Sequence, residues 1–98
     1  MFQIPKFFDL IEKRIKVVMC DTLTNEEDAL GFADFRLNRI RIQKNVNGMP
    51  REETDILRTF LHELTHWILH QMQHELRDDE VFVDGFARLL TQFFKTKK

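Results

Sequence analysis

Apolar positions recur with two different rhythms along this chain. Between residues 5 and 20, Phe7, Phe8, Leu10, Ile11, Ile15 and Val18 fall close to the helical repeat. Pro5 suits a first helical position, so an amphipathic N-terminal helix is expected over residues 5–20. Residues 21–30, rich in Thr, Asn, Asp and Glu, read as a connection. After Gly31 the period drops to two: Ala33, Phe35 and Leu37 alternate with Asp34 and Arg36, then Ile40 and Ile42 alternate with Arg39, Arg41 and Gln43. Alternation on both sides of Asn38 predicts a β-hairpin, alone or in a small sheet.

The segment Asn45-Val46-Asn47-Gly48-Met49-Pro50 breaks regular structure. From about Glu52 a helical stripe follows: Ile56, Leu57, Phe60, Leu61, Leu64, Ile68 and Met72, with Glu52, Glu53 and Asp55 suited to its N-terminus. A second apolar run takes in Val81, Val83, Phe86, Leu89, Leu90 and Phe93. Between them lies Arg77-Asp78-Asp79, where either Asp can cap a new helix, although no Gly or Pro marks the break. The expected fold is α+β, a single domain over residues 1–98. Its expected order is N-terminal helix, hairpin, long helix and returning helix.

Composition narrows the function classes. A chain of 98 residues holds one thin core. The net charge of −1 gives no global field toward nucleic acid or membrane. Arg36, Arg39, Arg41 and Lys44 form a local basic cluster, which alternating charges on the wet face of a hairpin explain without a nucleic-acid partner. Cys20 is alone, so neither a disulfide framework nor a Cys-based zinc cage is available. Lys6, Asp9, Glu12, Lys13 and Arg14 interrupt any N-terminal apolar run, and no stretch reaches membrane-spanning length, so a cytoplasmic location is expected. With ten Phe and no Tyr, the core leans on Phe and no phenol can take part in a reaction.

Residues 62–66 read His-Glu-Leu-Thr-His. On a helix, positions i and i+4 share one face, so His62 and His66 can converge on one ion at about 2.0–2.1 Å each. Glu63 points about 100° further round, too far to join them as a ligand but near enough to reach a water on the metal. Zinc lowers the pKa of such a water toward about 7, and a neighbouring carboxylate can take its proton. A third ligand cannot lie further along the same helix, because Glu80 would then be about 27 Å from His62. If the last helix folds back, Glu80 opens it, and Asp84 one turn later can hydrogen-bond a ligand imidazole. Asp79 and Asp84 are rival third ligands, with Glu80 favoured by its helical face; the small Ala87 and Thr91 continue that face. His70 and His74 extend the ladder. Solvent-facing positions at a helix C-terminus account for them, and His70 is the better placed to donate to an oxyanion.

Thr59 to Ile68 resembles the extended zincin signature, and Glu80-Val81-Phe82-Val83-Asp84 resembles the glutamate helix of gluzincins. Phe86-Ala87 with Leu89-Leu90 is similar to peptidases of the ImmA/IrrE type. The size and element order most resemble the minimal-scaffold gluzincins, the minigluzincins. The resemblance implies a zinc metallopeptidase: Zn2+ on His62, His66 and Glu80, Glu63 as general base, and a peptide or protein substrate. It also implies an edge strand above the cleft, here expected to be Arg39, Ile40, Arg41, Ile42 and Gln43, to which a substrate adds as a further strand. The competing class is a zinc-stapled module that binds a partner protein without turnover, since small chains gain from a metal staple.

Overall fold

A computed structural model describes residues 3–27 and 29–97. Its first two elements are strands, not a helix: β1 (Phe7–Leu10) and β2 (Lys13–Cys20) form an antiparallel hairpin in the register Phe7 to Lys16 and Leu10 to Lys13. This overturns the helix expected over residues 5–20. The β-branched Ile15, Val17 and Val18 suit a pleated surface better than a helix, and Arg14-Ile15-Lys16-Val17 alternates with period two. Ile11, at helical spacing from the Phe residues, is instead the exposed turn residue, at a positive φ of 54°.

The expected connection contains a short helix, α1 (Leu23–Glu27), anchored by the fully buried Leu23. The predicted hairpin is present as β3 (Gly31–Asp34) and β4 (Arg39–Gln43), paired antiparallel. Its turn is held by Asp34, which accepts from the Leu37 N–H at 3.2 Å and from Arg39 Nε at 3.0 Å, while Asn38 takes a positive φ. β2 runs parallel to β4, giving the sheet order β1-β2-β4-β3. A two-stranded ribbon follows, β5 (Asn45–Val46) with β6 (Met49–Pro50).

The long helix is α2 (Glu53–Gln71), and the returning one is α3 (Glu80–Thr96). α2 lies on the sheet: Leu57, Phe60, Leu61 and Trp67 meet Ile15, Ile40 and Ile42, with Ala87 of α3 joining the same core. Trp67 also donates its indole N–H to the Arg39 carbonyl at 3.2 Å. Arg51 ties the start of α2 to β4, donating to the Gln43 carbonyl at 2.8 Å and to Thr59 Oγ1 at 2.6 Å.

α2 ends without glycine. The Gln73 N–H donates to the His70 carbonyl at 3.0 Å and the His74 N–H to the Leu69 carbonyl at 2.9 Å. That pair of bonds is a Schellman cap, with Gln73 at φ 52° in the position glycine usually fills. Asp79 then caps α3, accepting from the Phe82 N–H at 3.0 Å. Among the described residues no helix is long and apolar enough to cross a membrane.

Candidate metal centre

The reversal between α2 and α3 brings Glu80 across the face of α2 that carries His62 and His66. One ligand atom from each lies within 4.8 Å of the others. His62 Nε2 is 3.1 Å from Glu80 Oε2, and His66 Nε2 is 2.8 Å from Glu80 Oε1. Donors on a tetrahedral zinc with bonds of about 2.0–2.1 Å sit about 3.3–3.4 Å apart, so only small adjustments would let these three share an ion. The imidazoles are partly covered, with side chains 21% and 14% exposed for His62 and His66.

Proton placement adds a second argument. His66 Nδ1 lies 3.0 Å from the Arg77 carbonyl, and a carbonyl only accepts, so Nδ1 carries the proton. In the neutral ring Nε2 is then a bare lone pair, aimed at a carboxylate oxygen 2.8 Å away. Two acceptors at that distance need a proton or a cation between them. Arg77 thus serves the site through its backbone, a contact that side-chain spacing does not reveal.

Of the rival carboxylates, Asp79 is occupied as the α3 cap. Asp84 stands 3.8 Å from His62 Nδ1, on the predicted side of the ring but beyond hydrogen-bond length. His70 is not brought to the cleft. Its ring stacks on Phe35 with centroids 3.9 Å apart, and His74 Nδ1 accepts from the Leu76 N–H at 3.0 Å.

Glu63 points between α2 and β3 and is only 8% exposed. Burial pushes its carboxyl up to about 7; the charge of Glu80 adds to the rise, while His66 and the Ala33 backbone N–H oppose it. Gly31 makes room for it. A Cβ there would stand 2.8 Å from Glu63 Oε2 and 2.5 Å from Thr59 Cγ2.

These groups line one open cleft of about 530 Å³, bounded by α2, the start of α3 and residues 29–35 of the β3 side. The edge strand beside it is β3, not β4. β4 is hydrogen-bonded on both flanks, to β2 and to β3, so the expected edge of Arg39, Ile40, Arg41, Ile42 and Gln43 is interior. Its side chains are committed too. Gln43 Nε2 donates to the Asp21 carbonyl at 2.6 Å, Arg39 pairs with Asp34, and Arg41 pairs with Glu26 at 3.0 Å. The Gln43 N–H donates to the Leu30 carbonyl at 2.9 Å, which fixes the alternation of the ladder. Gly31 and Ala33 therefore turn their N–H and C=O groups away from β4.

The chain matches no family model, no curated protein and no solved structure. The functional reading accordingly rests on the geometry of these residues.

Proposed function

We propose that this protein is a zinc-dependent peptidase of minimal size, with His62, His66 and Glu80 as the metal-holding residues and Glu63 as the general base. The observation that carries the reading is the convergence of these three donors beside a buried carboxylate in a cleft bordered by the edge strand β3. A zinc ion held there would supply Lewis-acid polarisation of a scissile carbonyl and would make water acidic near neutral pH. Glu63 would take the proton of the attacking water and hand it to the departing amine. A carboxyl raised to about 7 by burial suits both halves of that exchange.

An extended peptide would pair with the outward backbone groups of Gly31 and the carbonyl of Ala33, whose N–H already serves Glu63, as an added strand of the sheet. With no Tyr in the chain, and with His70 stacked on Phe35, Arg58 is the basic side chain that lines the cleft and could face a developing oxyanion. The same shortage of neutral donors is the one observation favouring the second reading, a zinc-stapled binding module without turnover.

Zinc stoichiometry and hydrolysis of a mixed peptide library, compared between wild type and Glu63→Ala, separate the two. A peptidase binds zinc in both forms and cleaves only with Glu63 present. A binding module takes up zinc and cleaves with neither.

A further inference from the structure

The outer side of α3 carries an apolar stripe that the domain covers only in part. Phe82, Phe86, Leu89 and Phe93 are 37, 48, 75 and 56% exposed. Their spacing of four, three and four is the a/d seam of a two-stranded coiled coil. The residues that seat α3 in the domain, Val83, Ala87 and Thr91, are buried and lie about 100–180° further round the helix from Phe82. The helix therefore has two apolar faces, and the domain uses one. Phe82 and Phe86 already stack, with centroids 5.9 Å apart. At Gly85, beside the seam, an added Cβ would meet nothing within 4 Å, which leaves room for a close neighbour.

We propose that this stripe is the interface of a homodimer, in which two α3 helices pack antiparallel about a two-fold axis between residues 87 and 88. The sequence itself selects this register. Phe82 of one copy faces Phe93 of the other, and Phe86 faces Leu89, so an a position meets a d position in every layer, as an antiparallel seam requires. The charges at the two ends agree with it. Asp78 and Asp79 immediately precede α3, and Lys95 in its last turn and Lys97 just after it close the other end, so antiparallel pairing sets an acidic end against a basic one at both extremities. A parallel pair would oppose like charges. The contact is isologous and closed, the commonest oligomer symmetry.

The area is modest. At their observed exposures the four side chains leave roughly 400 Å² open per copy, taking about 200 Å² for each full-sized side chain. Pairing would thus hide about 800 Å² from them alone and about 1,000 Å² with flanking atoms, the lower end for a specific interface. Glu80 lies about 160° round from Phe82, so the metal cleft of each copy stays open. Pairing through this stripe does not depend on what that cleft does.

Sedimentation velocity on the full chain, from about 1 to 300 μM, tests it. The expected result is a concentration-dependent monomer–dimer shift. Leu89→Glu, at an exposed position with its helix content checked by circular dichroism, should weaken dimerisation at least tenfold. Asp78→Lys should weaken it severalfold, and Asp78→Lys with Lys97→Asp in the same chain should recover most of that loss. A monomer throughout the range overturns the proposal. So does a dimer that neither Leu89→Glu nor Phe86→Glu disturbs. A monomer that instead floats with phosphatidylglycerol vesicles overturns it by assigning the stripe to a membrane surface.

Discussion

Gly31 lies where strand β3 closes on Glu63, and under the proposed function Gly31→Ala should separate catalysis from metal binding. The new methyl would lie 2.8 Å from Glu63 Oε2 and 2.5 Å from Thr59 Cγ2, where ordinary contact begins near 3.4 Å. The carboxylate must therefore retreat by about 0.6 Å and the Thr59 methyl by about 0.9 Å, or the strand must lift by a comparable amount. Misplacing a reacting group by about 1 Å can cost on the order of a hundredfold in rate, so kcat/KM should fall about 10- to 100-fold. Behind these two atoms Glu63 Cγ stands at 3.1 Å, so the stability cost should be that of ordinary overpacking, about 1–3 kcal/mol. The three atoms nearest the new methyl belong to Thr59 and Glu63, none to His62, His66 or Glu80, and zinc stoichiometry should stay at the wild-type value. Adding Thr59→Ser removes one clash, keeps the hydroxyl that Arg51 donates to, and should restore stability without restoring rate. Wild-type turnover by Gly31→Ala would refute the argument that this glycine positions Glu63. Loss of zinc in that variant would refute the separation of base from ligands.

Glu80→Ala should weaken zinc binding by at least tenfold in a competition titration with a chelating dye. Asp79→Ala should leave zinc affinity near wild type and lower stability by about 1 kcal/mol through loss of the α3 cap; the reverse order would reassign the ligand. Gln73→Gly should stabilise the fold by about 1 kcal/mol, since it relieves a left-handed non-glycine residue in the Schellman cap, and thermal unfolding checks it as a rise of several degrees. At Asp34, burial opposes ionisation, but hydrogen bonds from Arg39 and the Leu37 N–H, with the charges of Arg39 and Arg36, outweigh it and leave the pKa lowered. The stability this confers is full above the unfolded-state value of about 3.9 and is lost as pH falls through the lower folded value. Asp34→Asn should flatten that acid limb and cost about 1–3 kcal/mol at pH 7, both readable from urea melts across pH 2–7.

The sequence carried the two long helices and the β3–β4 hairpin plainly, because each rests on a local pattern; at the break it offered Asp78 and Asp79 alike as the cap, and Asp79 takes it. Helical periodicity fixed α2, alternation around Asn38 fixed the hairpin, and a capping residue preceded a fresh apolar run. The N-terminal hairpin was illegible for a physical reason. Its turn contains Ile11, which is 86% exposed, where Asn or Gly would have announced a positive φ. An apolar turn residue joins two short strands into one stripe that imitates a helix. Strand order was hidden differently: the parallel contact of β2 with β4 joins residues far apart in sequence and leaves no pairing signal. The sheet edge beside the cleft was consequently assigned to β4, which is interior, when β3 is the edge strand. At the site, spacing alone led to His62, Glu63 and His66, and the fold-back argument led to Glu80, which the structure brings to them. The Arg77 carbonyl and the Ala33 N–H act through backbone groups, and Gly31 acts through the absence of a side chain, so no motif could reveal them.

Zinc content and peptide hydrolysis measured together, on wild type and Glu63→Ala, test the central claim most directly. Stoichiometric zinc in both proteins, with cleavage confined to wild type, is the predicted result. Equal cleavage by Glu63→Ala, or wild-type protein that neither retains zinc nor takes it up, would contradict it.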